Sequence, residues 1–407
     1  MKRMNIFRKL WCRTFQAAFR AALPLLPYSE PKLLSGVDEA AALFAEKHIG
    51  KVLIVTDASL EKLGLVRPLT DALARRQVRW SLYSGVVPNP TIGNVETARL
   101  QYTSEGCGAV IGLGGGSCMD CAKIVAARVG RPNLPIPKMR GILRILHRLP
   151  LIVAIPTTAG TGSETTVTAV ITDPQTHEKY PISDFCLTPK YAVMAPELTL
   201  GLPRHITATT GLDALTHAVE AYIGGTTNRY TRSMAEEAVR LVREYLPRAC
   251  ADGSDTEARA HMLRAAFCAG NAFSRSYVGY VHGLAHALGG RYGVPHGLAN
   301  AVILPHFLEF YGAAIHAKLG RLARNTGIAP ASAADSEAAR LFIDWVWQIN
   351  KALDIPLYID QIREEDIPAM ARHADRECNP LYPVPVLMDA PALETMFRQV
   401  GGMNRTA

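Results

Sequence analysis

Five side chains in the second half of the 407-residue sequence have the types and spacing of a metal centre. Asp213 and His217 stand at i and i+4, so a helix would set a carboxylate and an imidazole on one face. His282 and His286 repeat that spacing with two imidazoles, and a turn-rich stretch, 287–296, ends in His296. One carboxylate with several imidazoles suits a divalent first-row metal, and four protein ligands would leave a position open for substrate. A lone histidine is more often a satisfied core or cap residue. A set of them beside a carboxylate points to a shared ion.

The first half carries groups suited to a nucleotide. The run Gly112-Leu-Gly-Gly-Gly-Ser117 follows an apolar strand-like run, 109–113, and precedes a helical stretch, 119–128. Glycines let the chain turn tightly against a ligand, while the first N–H groups of the helix face an anion such as a pyrophosphate. The spacing is not the G-x-G-x-x-G fingerprint, so taken alone the run is equally a structural turn. Asp57 closes another strand-like run, where a carboxylate can accept from ribose hydroxyls or simply cap the next helix. The run 156–164, rich in Thr, Gly and Ser, follows a third strand and would line the same crevice. Cys118 and Cys121 form a C-x-x-C pair without a second pair for zinc, and a redox role is disfavoured.

These residues need elements to position them. Strand-length apolar runs at 51–57, 78–83, 109–113, 149–155 and 191–195 alternate with helical stretches at 59–76, about 91–105 and 119–128. Short connections between them predict a parallel sheet with crossover helices. Past residue 202, Ala, Leu, Glu and Arg dominate and helical periodicity appears at 211–224, 231–246, 255–274, 335–353 and 390–399. The reading is therefore an arm and linker over 1–34, an α/β domain over 35–202 and a helical domain over 203–407. Residues 122–163 hold seven basic residues and no acid, which reads as an exposed basic loop.

Composition narrows the class. Hydrophobic residues make up 48% and charged residues 20%, ordinary for a folded chain and unlike a disordered or fibrous one. No uncharged apolar run reaches the roughly 20 residues needed to cross a bilayer. Eight cysteines in this length are too sparse for a disulfide framework and suggest a cytoplasmic location. The net charge of +8 is uneven, because residues 1–29 carry six basic residues and no acid. The remainder is near neutral, so nucleic-acid binding is not expected. Within the arm, Ile6, Phe7, Leu10, Trp11, Phe15, Ala18, Phe19 and Leu23 follow helical spacing. Arg13 and Arg20 interrupt any signal-peptide core. The preferred reading is a helix that packs its apolar stripe on the protein's own body or on a subunit partner; a helix resting on a membrane surface is the alternative. Pro24 and Pro27 end it ahead of an extended linker, 28–34.

Taken together, the motifs resemble those of the iron-containing (group III) alcohol dehydrogenases from about residue 33 onward. The match rests on Gly114-Gly-Gly-Ser-x-x-Asp120-x-x-Lys123, the run 156–164, Gly211-x-Asp213-x-x-x-His217, and His282-x-x-x-His286 with His296-Gly297. The resemblance implies a Rossmann-like N-terminal domain, an all-α C-terminal domain and an active site in the cleft between them. It implies Asp213, His217, His282 and His296 as ligands of Fe2+, with Zn2+ the competing ion on intrinsic affinity. His286 is implied as a nearby non-ligand histidine that relays a proton. Asp57, Asn89, Gly115, Gly116, Ser117, Thr157, Thr158, Thr166 and Lys179 are implied as contacts to NAD, with Asp57 favouring it over NADP. The implied reaction interconverts a small alcohol, foremost a primary one, and its aldehyde or ketone by hydride transfer, in a homo-oligomer of unspecified size. Two readings on similar architecture compete: a metal-dependent lyase of the dehydroquinate synthase type and a zinc-dependent glycerol dehydrogenase.

Overall fold

A computed structural model describes residues 4–175 and 178–403; Lys2 and Arg3 of the basic arm lie outside them. The chain forms two compact units, one of residues 27–202 with 253–270, the other of residues 1–26, 203–252 and 271–407.

The first unit holds nine strands: β1 (Lys32–Leu34), β2 (Lys51–Val55), β3 (Arg79–Tyr83), β4 (Ala109–Gly114), β5 (Gly141–Ile142), β6 (Leu151–Pro156), β7 (Thr168–Asp173), β8 (Glu178–Ser183) and β9 (Tyr191–Val193). Six of them make a parallel sheet in the order β1-β9-β6-β4-β2-β3. Its inner strands β2, β4 and β6 read as near-continuous apolar runs because both faces are covered. Val52 and Ile54 of β2 pack into one layer with helices Val37–Glu46 and Arg67–Arg75. Leu53 and Val55 pack into the other with Ile92–Ser104 and Gly116–Gly130. The chain steps outward from β2 to β3, then crosses back over β2 to β4 and continues through β6 to β9. Strand order therefore reverses between β2 and β4, the point where open α/β sheets bind ligands at their carboxyl ends.

Two sequence expectations need correction in this unit, and one hairpin lay outside them. The helical stretch 59–76 is two helices, Ala58–Lys62 and Arg67–Arg75, broken at Gly64 and restarted by Pro68. Residues 122–163 are not one exposed loop, since Lys123 and Arg128 are buried within the helix Gly116–Gly130. Arg128 is tied to Glu96 and to the carbonyls of Arg131, Pro132 and Leu134, which explains how its charge is tolerated inside. The span 168–183 forms an antiparallel hairpin, β7 with β8, that β5 extends in parallel.

The second unit is helical. The helices that matter for chemistry are Arg204–Ile223, Tyr280–Tyr292, His296–Tyr311 and Ile367–Cys378. The stretch 287–296, expected as turns, is helical as far as Tyr292, and only three residues separate it from the next helix. The arm forms a helix, Ile6–Ala22, capped by Asn5. It packs on this unit through part of the expected apolar stripe, with Phe19 edge-on to Tyr277 and Leu23 buried. Polar bonds join these contacts: Arg8 pairs with Asp375, Arg13 donates to the carbonyls of Val384 and Pro385, and Gln16 donates to that of Tyr382. The stripe is split, since Ile6, Phe7, Leu10 and Trp11 face out. Among the described residues, no single helix is long and apolar enough to cross a membrane.

Candidate metal centre and nucleotide crevice

Helix Arg204–Ile223 presents Asp213 and His217 one turn apart, helix Tyr280–Tyr292 brings His282, and His296 is the first residue of the next helix. One donor atom from each of these four side chains lies within 4.8 Å of every other. The pairs are close without being bonded: Asp213 Oδ1 is 3.9 Å from His282 Nε2 and 3.6 Å from His296 Nε2. His217 stacks on Phe273 with ring centroids 4.1 Å apart, which fixes the plane of its imidazole. Asp213, His217 and His282 are buried, whereas His296 keeps about a third of its side chain exposed.

The surroundings orient the donors. Glu220 Oε2 sits 2.6 Å from His282 Nδ1, and Glu220 Oε1 accepts from the Val281 N–H. With the imidazole proton held at Nδ1, the lone pair is left on Nε2, which is buried and has no hydrogen-bond partner. Burial pushes His282 well below the usual histidine range, keeping it neutral as a ligand must be. Burial likewise pushes Glu220 up to about 7, against the pull of the backbone N–H donors around it. Asn300 donates to Asp213 Oδ1 at 2.7 Å, holding that carboxylate in place. A buried, partnerless imidazole nitrogen among a carboxylate and two further imidazoles fits a divalent first-row cation.

His286 stands apart from the four. Its ring is stacked on that of His296 at 5.3 Å, and its Nδ1 lies 2.6 Å from Glu377 Oε1. Tyr382 donates to the same oxygen, and His373 Nε2 lies 3.6 Å from the other oxygen. Burial alone would raise the Glu377 carboxyl, but His286 and Tyr382 hold it below the usual range.

In the α/β unit, Asp57, Gly115, Gly116, Ser117, Thr157 and Thr158 lie just past the ends of β2, β4 and β6, whereas Asn89 follows β3, Thr166 precedes β7 and Lys179 lies in β8. Asp57 follows β2 and caps the helix Ala58–Lys62 by accepting from Ser59 and Leu60, so its cap role is realised at a strand end. Gly114 has φ +147, and a Cβ there would fall 2.6 Å from Cys118 Sγ, so only glycine fits the turn. Gly115 then caps the helix that Gly116 begins, with Thr158 Oγ1 beside it. Thr157 bonds through its N–H to the Gly114 carbonyl. Asn89 donates from its N–H to Ser117 Oγ at 3.3 Å and accepts from Lys179 Nζ at 2.7 Å, which joins three of the expected residues. Thr166 differs: its hydroxyl is buried and accepts from Lys123 Nζ at 2.7 Å. Cys118 and Cys121 are buried thiols whose pKa burial pushes up, the opposite of a reactive pair.

Beneath this crevice lies a buried ionic network. Lys123 also donates to the Thr168 carbonyl, while Asp120 accepts from Ser163 Oγ and from the Val170 N–H. Burial pushes Lys123 down to about 8 and the nearby Glu164 up to about 7. The unfolded chain releases the Glu164 proton near 4.5 and the fold retains it to about 7, so stability falls as pH rises through that window. Glu164→Gln should remove that fall, by up to about 3 kcal/mol between pH 5 and 8. Urea unfolding at both pH values measures it; parallel curves for the two proteins would contradict the assignment.

Glu220, Asn300, Glu377 and Asp120 went unread as parts of a site. Glu220 lies at i+7 from Asp213, and Asn300 at i+4 from His296, so helical spacing offered a sign of both. Glu377 lies 91 residues from His286, and no local pattern announces it.

The comparisons with known proteins agree with one another. The family model described as iron-containing alcohol dehydrogenase matches residues 31–196, and that for the C-terminal part of the Fe-containing alcohol dehydrogenase family matches residues 207–392. Alcohol dehydrogenase 4 of Schizosaccharomyces pombe is 38% identical over 354 residues, covering 85% of this chain and 82% of the relative. The NAD-dependent methanol dehydrogenase of Bacillus methanolicus is 37% identical over 335 residues, 81% of this chain and 87% of its own. A crystal structure of 1,3-propanediol oxidoreductase superposes with a TM-score of 0.87 at 34% identity, covering 92% of this chain and 99% of the other.

Proposed function

Since this chain belongs to the iron-containing alcohol dehydrogenase family and is an NAD-dependent enzyme of that family, we propose that Asp213, His217, His282 and His296 hold its Fe2+ or a competing Zn2+. The observation that carries this reading is the convergence of four donor atoms around the partnerless His282 Nε2. When bound, the metal supplies a Lewis acid for the alcohol or carbonyl oxygen, and NAD(H) takes or gives the hydride.

The chain's own residues do the rest. Glu220 fixes the tautomer of His282, and Asn300 fixes the Asp213 carboxylate. The N–H groups at Gly115 and Gly116 would receive the pyrophosphate, and Asp57 would accept from the ribose hydroxyls. Asn89, Ser117, Thr157, Thr158 and Lys179 line the remainder of the cofactor path, with Thr166 acting through its bond to Lys123. Residues 35–202 are thereby assigned to the dinucleotide and 203–407 to the metal. His286, with Glu377 on its Nδ1, moves the hydroxyl proton away from the substrate. The substrate is a primary alcohol or the aldehyde made from it. Eight cysteines are too sparse in a chain of this length for a disulfide framework, which supports a reducing compartment, the cytoplasm.

The test is oxidation of NADH by short aldehydes, which chelation should abolish and Fe2+ or Zn2+ should restore. His286→Ala should lower kcat about a hundredfold and flatten the pH profile. Unchanged turnover with an unchanged profile would end the relay assignment.

A further inference from the structure

The arm helix Ile6–Ala22 leaves the apolar side chains of its first half uncovered. Its inner side is held by Arg8 on Asp375, Arg13 on two carbonyls, Gln16 on a third and Phe19 against Tyr277, with Cys12 and Gln16 buried. Those contacts keep the helix from rolling its remaining apolar side chains inward, because each would have to break. The outer side then exposes Ile6 by 75%, Phe7 by 79%, Leu10 by 66% and Trp11 by 60%, with Ala17, Ala18 and Ala21 continuing the face. That face has no charged residue, while Lys9 and Arg20 stand exposed beside it. Contiguous exposed aromatic and aliphatic side chains of this kind mark an interaction site.

Charge decides what covers it. Residues 1–29 contain six basic residues and no acid; Arg8 is already paired with Asp375 and Arg13 is tied to carbonyls, while Lys9 and Arg20 remain exposed on the helix. A second copy meeting this face symmetrically would bring two cationic arms together with no acid of either arm between them. An anionic bilayer offers the opposite charge, together with an apolar layer for Phe7, Leu10 and Trp11. The span is too short and too polar to cross, so the helix would lie in the interface.

We infer that the helix Ile6–Ala22 docks this enzyme on anionic membrane surfaces, its Ile6, Phe7, Leu10 and Trp11 face entering the headgroup layer. The full-length enzyme should sediment with vesicles of equal parts phosphatidylcholine and phosphatidylglycerol and not with phosphatidylcholine alone. High salt should weaken that binding, since the cations contribute through a screened field. The double variant L10E/W11E alters only exposed positions, so it should keep wild-type dehydrogenase activity and bind these vesicles about tenfold or more weakly. Wild-type enzyme that stays in the supernatant, or a variant that sediments equally well, would overturn the inference. So would lipid-free self-association that L10E/W11E abolishes without any vesicle binding, which would assign the face to a second copy.

Discussion

Asp213→Ala should strip the enzyme of its metal and lower kcat/KM about a thousandfold or more, equivalent to the several kcal/mol that Lewis-acid stabilisation provides. Asp213 is the only carboxylate in the four-donor set, and it alone offsets the charge of a divalent ion there. Its loss leaves imidazoles as the only donors and deprives the Asn300 amide of its acceptor. Metal analysis of the purified variant, alongside kinetics at saturating Fe2+, checks both halves of the expectation. A variant that kept a full equivalent of tightly held metal and wild-type turnover would show that the four donors do not act as a site. Asp213→Asn is a milder companion, since the amide keeps an oxygen donor but not the charge. It should retain more metal than the alanine variant.

Gly297→Ala should destabilise the helical unit by about 2–3 kcal/mol and loosen metal binding with it. A Cβ at residue 297 would lie 2.4 Å from the Thr209 carbonyl oxygen and 2.9 Å from its carbon, both of them backbone. Side chains can swing aside from a methyl group, but two packed helix backbones must separate. The helices concerned carry Asp213 and His296, so the separation falls on the 3.6 Å gap between their donor atoms. Gly290→Ala is the internal control. Gly290 lies on an exposed helical surface with nothing within 4 Å of a Cβ, and alanine should stabilise there by about 0.5–1 kcal/mol. Urea unfolding and metal affinity of both variants decide the matter. Equal behaviour of the two would contradict the packing argument.

Much of the fold was legible because strands and helices leave periodic marks in contiguous residues. The runs at 51–57 and 109–113 are β2 and β4, and the glycines after 113 turn into a helix N-terminus as the spacing predicts. The i and i+4 pairs at 213 and 217 and at 282 and 286 do lie on helices. The hairpin of β7 and β8 was not legible, because β8 carries Glu178, Lys179 and Pro181 and lacks a clean apolar run. Lys123 and Arg128 misled in the other direction. A basic residue reads as exposed until its acceptors are known, and those of Lys123, at Thr166 and Thr168, lie about forty residues away.

By itself, the sequence determined which side chains are candidate donors, the turns that could receive a nucleotide, and the alternation that makes a parallel sheet. These depend on short-range spacing, and short-range spacing survives in a one-dimensional chain. Tertiary packing alone decided that Asp213 meets His282 and His296, that Glu220 and Glu377 stand behind two of the histidines, and that the arm helix leaves Ile6, Phe7, Leu10 and Trp11 facing out. Each of those outcomes rests on contacts between residues many tens of positions apart. Such contacts form only where whole helices fit against one another, and no local pattern records the fit.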